Sequence, residues 1–217
     1  MLFRSREHIL LIRAEYTGPR WEMLIVTKLA ERTAAYAIEP LILNRWSSRA
    51  MSGEPISKAE LMPLIEAARW APSSYNSQPW RFIYAINGSP QWIHFSSLLD
   101  EFNRGWAPKA GALLVLASRK EFEWGGPART HSFDAGAAWQ NFALQGSVSG
   151  LVVHGMEGFD YTRARELLNV PGDYEIEMMI AVGKPGEAHQ LSAELVAMEK
   201  PSDRRATSEI AIEGGFQ

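Results

Sequence analysis

The clearest helical pattern in the chain begins at Ser57. Ser57 and Glu60 form the S-x-x-E pattern of a capping box, in which each side chain accepts a hydrogen bond from a backbone N–H at the start of a helix. Apolar residues then recur at helical spacing, at Leu61, Leu64, Ile65 and Ala68. This pattern predicts an amphipathic helix that begins after Ser57 and is closed by Pro72.

Four other stretches have the patterns of strands. Residues 111–118 are almost continuously apolar, as expected for a central strand that is buried on both faces. Residues 176–182 carry an apolar side chain at every second position, which is the period of a strand. Residues 81–87 and residues 151–153 are predicted as two further strands.

Helices are predicted between and before these strands. Residues 28–40 are predicted as a short helix that ends before its final proline. Asp134 is predicted to cap a helix over residues 135–146, and the many small side chains of this helix indicate that something packs closely against its backbone. Asp160 is predicted to cap one more short helix.

This order of helices and strands predicts an α+β fold with a mixed or antiparallel central sheet flanked by helices. Residues 1–27 show no sustained pattern, and we interpret them as an N-terminal extension that need not be ordered. Residues 28–217 are predicted to form one domain.

The composition is typical of a globular protein and narrows the possible chemistry. The chain has 217 residues, of which 46% are hydrophobic and 22% are charged, so it can bury a substantial core. Its formal net charge of -3 gives no long-range attraction to nucleic acid or to an anionic membrane, and neither is expected as a partner. An anion site therefore requires a local cluster of basic side chains.

The absence of cysteine excludes several kinds of site. Without cysteine the chain forms no disulfide, thiolate nucleophile, iron–sulfur cluster or cysteine-zinc site, and its five histidines lack the spacing of metal ligands. No metal is therefore expected.

No apolar run approaches the roughly 20 residues that span a bilayer, and the first 20 residues are a poor match to a signal peptide. We expect a cytoplasmic protein.

Four polar stretches are candidates for a binding site. In residues 45–49 two guanidinium groups and two hydroxyls can converge on one phosphate, although a solvated basic loop is the better explanation of this stretch alone. In residues 71–80 the amides of Asn76 and Gln78 suit ribityl hydroxyls or the edge of a flavin ring, and the alternative is a plain turn.

The other two stretches are less distinctive. Residues 154–159 follow a predicted strand and contain two glycines that would let backbone N–H groups approach a ligand, but a turn at the end of a strand fits equally well. Residues 200–205 could complete a phosphate clamp, and the alternative is a charged tail.

Taken together and in this order, the four stretches resemble the FMN-dependent nitroreductase family. The resemblance is strongest over residues 43–82, where APSSYNSQPW is the most specific motif, and it extends over roughly residues 28–215. It implies a nitroreductase-like α+β fold that forms a homodimer, with two FMN sites at the dimer interface.

The resemblance also implies roles for individual residues. Arg45, Ser47 and Arg49 would hold the phosphate, helped by Arg205 or Arg204, while Asn76 and Gln78 would lie along the ribityl chain and ring. Glu157 and Gly158 would present their backbone to the N5 side of the flavin. The implied cofactor-binding residues are Arg45, Trp46, Ser47, Arg49, Ser74, Asn76, Gln78, Met156, Glu157, Gly158, Arg204 and Arg205.

The function implied is an FMN-dependent oxidoreductase that uses NADH or NADPH to reduce a small organic acceptor, such as a nitroaromatic or a quinone, by a ping-pong mechanism. The chemistry would take place at flavin N5, so no catalytic side chain is expected. Phe122 and Trp124 lie in a short aromatic segment between a strand and a helix, and we expect them to border the substrate pocket.

Other functions use the same cofactor site. The chain could be a non-catalytic FMN-binding store or a redox sensor, or it could be a relative that reductively dehalogenates its substrate or fragments flavin with oxygen. A structural protein without a ligand is a further alternative. The sequence leaves open the acceptor and the choice between NADH and NADPH.

Overall fold

The computed structural model describes residues 32–216. The extension predicted at residues 1–27 and the first part of the helix predicted at residues 28–40 lie outside the described residues. The boundary between extension and domain therefore stays a prediction.

A four-stranded sheet forms the centre of the fold. Its strands are β1 (Trp80–Ile86), β2 (Ala112–Arg119), β3 (Val152–Met156) and β4 (Tyr174–Gly183), arranged in the order β1-β2-β4-β3. Each of the three neighbouring pairs is antiparallel. All four predicted strands are confirmed, and of the two kinds of sheet that the sequence allowed, the described strands form the antiparallel one.

Both faces of the sheet are covered, which explains why β2 is apolar throughout. Successive residues of a strand point to opposite faces. Leu114 and Leu116 therefore join one buried cluster, while Leu113 and Val115 join the other. The two clusters form one core on each side of the sheet, as the continuous apolar pattern predicts.

Eight α-helices surround the sheet in the described part of the chain. The two longest, α2 and α5, pack on each other and on the same face of the sheet. The helices are α1 (Pro40–Asn44), α2 (Lys58–Arg69), α3 (Trp92–Ser96), α4 (Glu101–Arg104), α5 (His131–Val148), α6 (Tyr161–Leu167), α7 (Ala193–Met198) and α8 (Thr207–Ile210). Together with the sheet they confirm the predicted α+β fold.

The capping box predicted at the start of α2 is present. The Ser57 hydroxyl accepts a hydrogen bond from the backbone N–H of Glu60, and the Glu60 carboxylate accepts one from the backbone N–H of Ser57. The helix ends at Arg69, three residues before Pro72. Asp160 likewise caps α6 by accepting a hydrogen bond from the backbone N–H of Arg163.

The prediction for the start of α5 was wrong. The helix begins at His131, so Asp134 lies inside its first turns rather than at its cap. The Asp134 carboxylate instead accepts hydrogen bonds from the backbone N–H of Ser74 and from the Thr130 hydroxyl. A tertiary contact thus uses the side chain that the sequence pattern suggested as a helix cap.

Several small residues of α5 serve packing within the chain. A Cβ atom on Gly146 would lie 2.3 Å from the Val153 side chain, so only glycine allows α5 to approach β3 this closely. Ala135 and Ala138 are buried in the core shared with α2. These residues are therefore not available as a packing surface for a second copy of the chain.

The helix predicted at residues 28–40 is also wrong in its described part. Residues 32–39 are not helical, and α1 begins at Pro40. Proline is well suited to the first turn of a helix, because its missing N–H has no intrahelical partner there. Pro40 starts a helix in this chain instead of ending one.

None of the described helices is long and apolar enough to cross a membrane.

Candidate functional site

A basic pocket of about 320 Å³ is lined by four residues of the first predicted polar stretch. It is formed where the loop after α1 meets the middle of β3, the end of α7 and the tail that follows α7. The lining residues are Arg32, Arg45, Trp46, Ser47, Arg49, His154, Met198, Lys200, Ser202 and Arg204. Five of them are cationic, so the pocket can bind an anion although the chain as a whole is acidic.

The cations of the basic pocket repel one another. Burial lowers the pKa of Arg45, and the positive charges of Arg204 and Arg32 lower it further. The Nε atom of Arg49 is buried and has no hydrogen-bond partner among the described residues. A bound anion would relieve the repulsion and could accept the unused hydrogen bond.

Aromatic and carbonyl groups hold parts of this pocket in place. The Arg49 guanidinium lies 5.6 Å from the centre of the Phe102 ring, a cation–π contact. Nδ1 of His154 lies 3.0 Å from the backbone oxygen of Ser48, and the imidazole ring packs against Trp106. Burial is the main cause that lowers the pKa of His154, and Arg49 adds to the effect. His154 is thus favoured in its neutral form.

Arg32 supports the loop from outside the predicted motif. Its guanidinium donates hydrogen bonds to the backbone oxygens of Leu43 and Arg45, at 3.0 and 3.2 Å. It thereby holds the end of α1, from which Arg45 projects into the pocket. No motif at residue 32 indicated this role, because Arg32 lies 13 positions before Arg45 in the sequence.

The second predicted stretch forms a tightly turned loop, residues 73–78. Three of its residues have left-handed backbone conformations without being glycine: Tyr75 (φ 52°), Asn76 (φ 54°) and Gln78 (φ 46°). Such residues are strained and are frequent at binding sites. The Ser73 hydroxyl accepts a hydrogen bond from the backbone N–H of Gln78 at 3.0 Å. The side chain of Asn76 is exposed and bonds to no described residue.

The predicted substrate-pocket residues lie against this loop. The rings of Phe122 and Trp124 are stacked, with centroids 4.6 Å apart, and the Tyr75 ring meets both of them edge-on. Trp124 is 65% exposed and Tyr75 is 81% exposed. These rings form an accessible aromatic surface beside Asn76.

The third predicted stretch, residues 154–159, begins inside β3 rather than after it, because the strand predicted at residues 151–153 extends to Met156. Met156 is buried, Glu157 is exposed, and the carbonyl of Gly158 accepts hydrogen bonds from the Asn103 side chain and from the backbone N–H of Asp100. A Cβ atom on Gly158 would lie 2.2 Å from the Asp100 carboxylate. Glycine is therefore needed at this position, because Asp100 packs directly against the backbone.

The basic pocket is lined by some of the predicted binding residues but not by all of them. Arg45, Trp46, Ser47, Arg49 and Arg204 line the basic pocket. The other predicted binding residues are not in its lining, namely Ser74, Asn76, Gln78, Met156, Glu157, Gly158 and Arg205. The sequence had indicated no individual binding role for Arg32, His154, Met198, Lys200 or Ser202. Of these, His154, Lys200 and Ser202 fall within the polar stretches that it had singled out.

A larger hollow of about 590 Å³ lies elsewhere, between β1 and residues 168–171. Most of its lining is apolar, and Arg81 is its charged member. None of the predicted site residues lies in it.

Among the described residues, no group of three or more histidine, aspartate or glutamate side chains is placed to hold a metal ion.

Comparison with known proteins agrees with the fold and with the family that the sequence resembles. Residues 42–91 and 90–184 match the sequence profile of the nitroreductase family. A solved oxidoreductase that contains FMN is 40% identical, with a TM-score of 0.84 over 88% of this chain and 98% of that chain.

Two curated proteins are also similar to this chain. The NADH dehydrogenase of Thermus thermophilus is 26% identical over 192 residues, which are 72% of this chain and 92% of that protein. The oxygen-insensitive NADPH nitroreductase of Helicobacter pylori is 40% identical over 68 residues, which are 31% of each protein.

Proposed function

The chain belongs to the nitroreductase family, and we propose that it is an FMN-dependent oxidoreductase in which NADH or NADPH reduces a small organic acceptor. The observation that carries this proposal is the basic pocket. It joins Arg45, Ser47 and Arg49 to Arg204 from the far end of the chain, and this is the donor set that a phosphate requires.

The residues of the basic pocket fit a flavin phosphate. A phosphate monoester carries about -1.5 to -2 charges near neutral pH, which would offset the mutual repulsion of Arg45 and Arg204. Arg49 offers a buried Nε–H that no described residue uses. Trp46 and Ser47 complete the same wall of the pocket. Of the two neighbouring arginines in the tail, Arg204 is assigned to the phosphate, because it lines the pocket and Arg205 does not.

The other predicted residues would contact the rest of the cofactor. Asn76 has an exposed amide that can both donate and accept hydrogen bonds to ribityl or ring atoms, and Ser74 and Gln78 belong to the same strained loop. Met156, Glu157 and Gly158 would lie towards the N5 side. When bound, FMN supplies a ring that accepts a hydride from nicotinamide and passes electrons to the acceptor. Phe122 and Trp124 would then offer a flat surface to the acceptor.

The active unit in this proposal is a homodimer. The 73–78 loop is not part of the lining of the basic pocket, whereas one FMN molecule has to reach both. Two copies that each contribute one of these regions would complete two equivalent sites.

The absorption spectrum of the purified protein tests the proposal directly. We expect a flavin spectrum that is bleached by NADH or NADPH without oxygen and that is restored by a quinone or a nitroaromatic. Initial rates at several acceptor concentrations should give the parallel double-reciprocal lines of a ping-pong mechanism. A protein with no flavin, even after incubation with FMN, contradicts the cofactor assignment. A yellow protein that neither nicotinamide bleaches is a store or a sensor instead.

A further inference from the structure

A single carboxylate joins the two chain segments that form the basic pocket. Oε1 of Glu199 accepts hydrogen bonds from the Ser48 hydroxyl and from the backbone N–H groups of Arg49 and Ala50, the last two at 2.9 Å. Oε2 accepts a further bond from the N–H of Arg49 at 3.0 Å. The contact links residues that are about 150 positions apart in the sequence.

The position of Glu199 in the chain makes this contact the attachment point of the tail. Glu199 follows α7, which is fixed to the core by the buried side chain of Leu195. Just beyond Glu199, the Lys200 N–H donates a hydrogen bond to the Met198 carbonyl of α7. From residue 201 onwards, every hydrogen bond made by the described tail stays within the tail, including those of Arg204 to Ser202 and Asp203. Ser202 and Arg204 therefore depend on this attachment for their place in the pocket.

A carboxylate beside an anion site needs an explanation. No described cation lies within salt-bridge distance of Glu199, so it does not neutralise the arginines of the pocket through a direct ion pair. Its partners are neutral N–H and O–H donors of a largely buried backbone segment, in which Ser48 is 9% exposed and Ala50 is 6% exposed. Because Glu199 occupies the N–H groups of Arg49 and Ala50, phosphate recognition falls to the side chains of the loop.

We infer that Glu199 is a positioning residue that holds the 45–49 loop and the Arg204 tail at the separation that a phosphate requires. The inference rests on the proposed function, since it assumes that the basic pocket binds the FMN phosphate. The inference also predicts the direction in which FMN affinity changes when Glu199 is removed. If Glu199 acted mainly through its negative charge, its removal would strengthen FMN binding. If it positions the two segments, its removal weakens binding.

Binding of FMN and of riboflavin to the flavin-free full-length protein separates these roles. For Glu199→Ala we expect the dissociation constant of FMN to rise on the order of tenfold or more, and that of riboflavin, which lacks the phosphate, to change little. Glu199→Gln keeps one acceptor oxygen in place of Oε1 and should lose less. Glu213→Ala removes one charge from the same tail without touching the loop, and it should leave both constants unchanged.

Amide hydrogen exchange gives a second measurement that needs no flavin. The N–H of Arg49 should exchange faster in Glu199→Ala than in the wild type because its acceptor is gone, and that of Ala50 should change less because the Ser48 hydroxyl also accepts from it. If Glu199→Ala does not fold, Ser48→Ala removes one donor to the same carboxylate together with one acceptor of the Ala50 N–H. Ser48→Ala should then show a smaller loss that again affects FMN and spares riboflavin.

Several outcomes overturn the inference. Tighter FMN binding in Glu199→Ala would assign Glu199 an electrostatic role, and equal losses for FMN and riboflavin would assign it to general support of the fold. Unchanged FMN binding would show that the tail is held by other means. The wild type tests the proposed function separately. If it binds riboflavin as tightly as FMN, the phosphate site itself is wrong and the inference falls with it.

Discussion

The two loops of the candidate site are held in shape in different ways. The 45–49 loop is anchored from a distance, through Glu199 and through Arg32, and its own side chains stay available as charged donors. The turn of the 73–78 loop is shaped mainly locally, by the Ser73 hydroxyl and by three left-handed residues, while one distant side chain, Asp134, ties the loop to α5. Substitutions of distant residues should therefore disturb the first loop more than the second, and substitutions within residues 73–78 should disturb the second. The first loop should distinguish ligands by their charge, and the second should distinguish them by their uncharged part.

The largest effect is expected from the arginines of the basic pocket. Hydrogen bonds to charged groups contribute roughly 1.5–3 kcal/mol each, so Arg49→Ala and Arg204→Ala should each weaken FMN binding on the order of 10- to 150-fold. Titration of the flavin-free protein with riboflavin should show hardly any change. Salt should weaken FMN binding more in the wild type than in either variant, because screening acts on the charge pair.

Arg205→Ala is the matched control for these variants. Arg205 is the neighbour of Arg204 and has the same charge, but it does not line the pocket, so a smaller loss is expected. A large loss of FMN affinity for Arg205→Ala with none for Arg204→Ala would assign the phosphate contact to Arg205 instead. The basic cluster would remain the phosphate site. Equal losses of FMN and riboflavin would show that the arginines serve the fold or the ring site instead.

Asn76→Ala should have a moderate effect that does not depend on the phosphate. A net hydrogen bond is worth roughly 0.5–1.5 kcal/mol, which corresponds to a loss of about 2- to 13-fold in affinity. Because Asn76 is expected to meet the ribityl chain or the ring, FMN and riboflavin should lose affinity alike, and the reduction potential of the bound flavin should shift. Unchanged affinity and potential would place the 73–78 loop away from the flavin.

A smaller effect is expected on folding, from the backbone of Tyr75. A left-handed conformation costs an L-residue roughly 1–2 kcal/mol, so Tyr75→Gly should have a free energy of unfolding about 1 kcal/mol higher than that of Tyr75→Ala. The comparison of glycine with alanine isolates the strain, since both variants lack the ring. Denaturant unfolding of the flavin-free proteins measures it.

The same pair of substitutions in a helix should give the opposite order. Phe133 is exposed and lies in α5, where glycine is about 1 kcal/mol less favourable than alanine. Phe133→Gly should therefore be less stable than Phe133→Ala. If glycine were the less stable choice at both positions, the 73–78 loop would not be strained at Tyr75.

The smallest effect concerns the pH dependence of stability at His154. Burial keeps its pKa in the folded protein below the ordinary value of 6.5. The unfolded chain therefore binds the proton more readily, and stability is fully present above about pH 6.5 and is lost as the pH falls through the folded pKa. His154→Asn keeps a donor for the Ser48 carbonyl without titrating, so its unfolding free energy should fall less between pH 7 and pH 5. Identical pH profiles would contradict the assignment.

Local signals in the sequence predicted their structures well. The capping box of Ser57 and Glu60, the apolar run of β2 and the cap at Asp160 all depend on residues that are close in sequence. The order of the polar stretches also identified the family. The helix caps and the buried strand could be predicted because the physical interaction and the sequence pattern extend over the same few residues.

Contacts between distant segments could not be predicted in this way. The pattern around Asp134 matches a helix cap, but its carboxylate bonds across the structure to the N–H of Ser74. Arg32 and Glu199 support the 45–49 loop from outside every motif, and nothing near them in the sequence indicates their partners. The choice of Arg204 over Arg205 likewise depends on how the tail is attached, which only the folded chain determines.

The strained 73–78 loop also affects the rate at which the protein should exchange its ligand. Its left-handed residues are held by contacts within the chain, from Gln78 to Ser73 and from Ser74 to Asp134, so their unfavourable backbone energy belongs to folding and does not enter the dissociation constant. A surface that keeps its shape on binding avoids the slow association of proteins that must first rearrange. If the flavin binds there as proposed, its association should be a single step, with a rate that rises in proportion to flavin concentration.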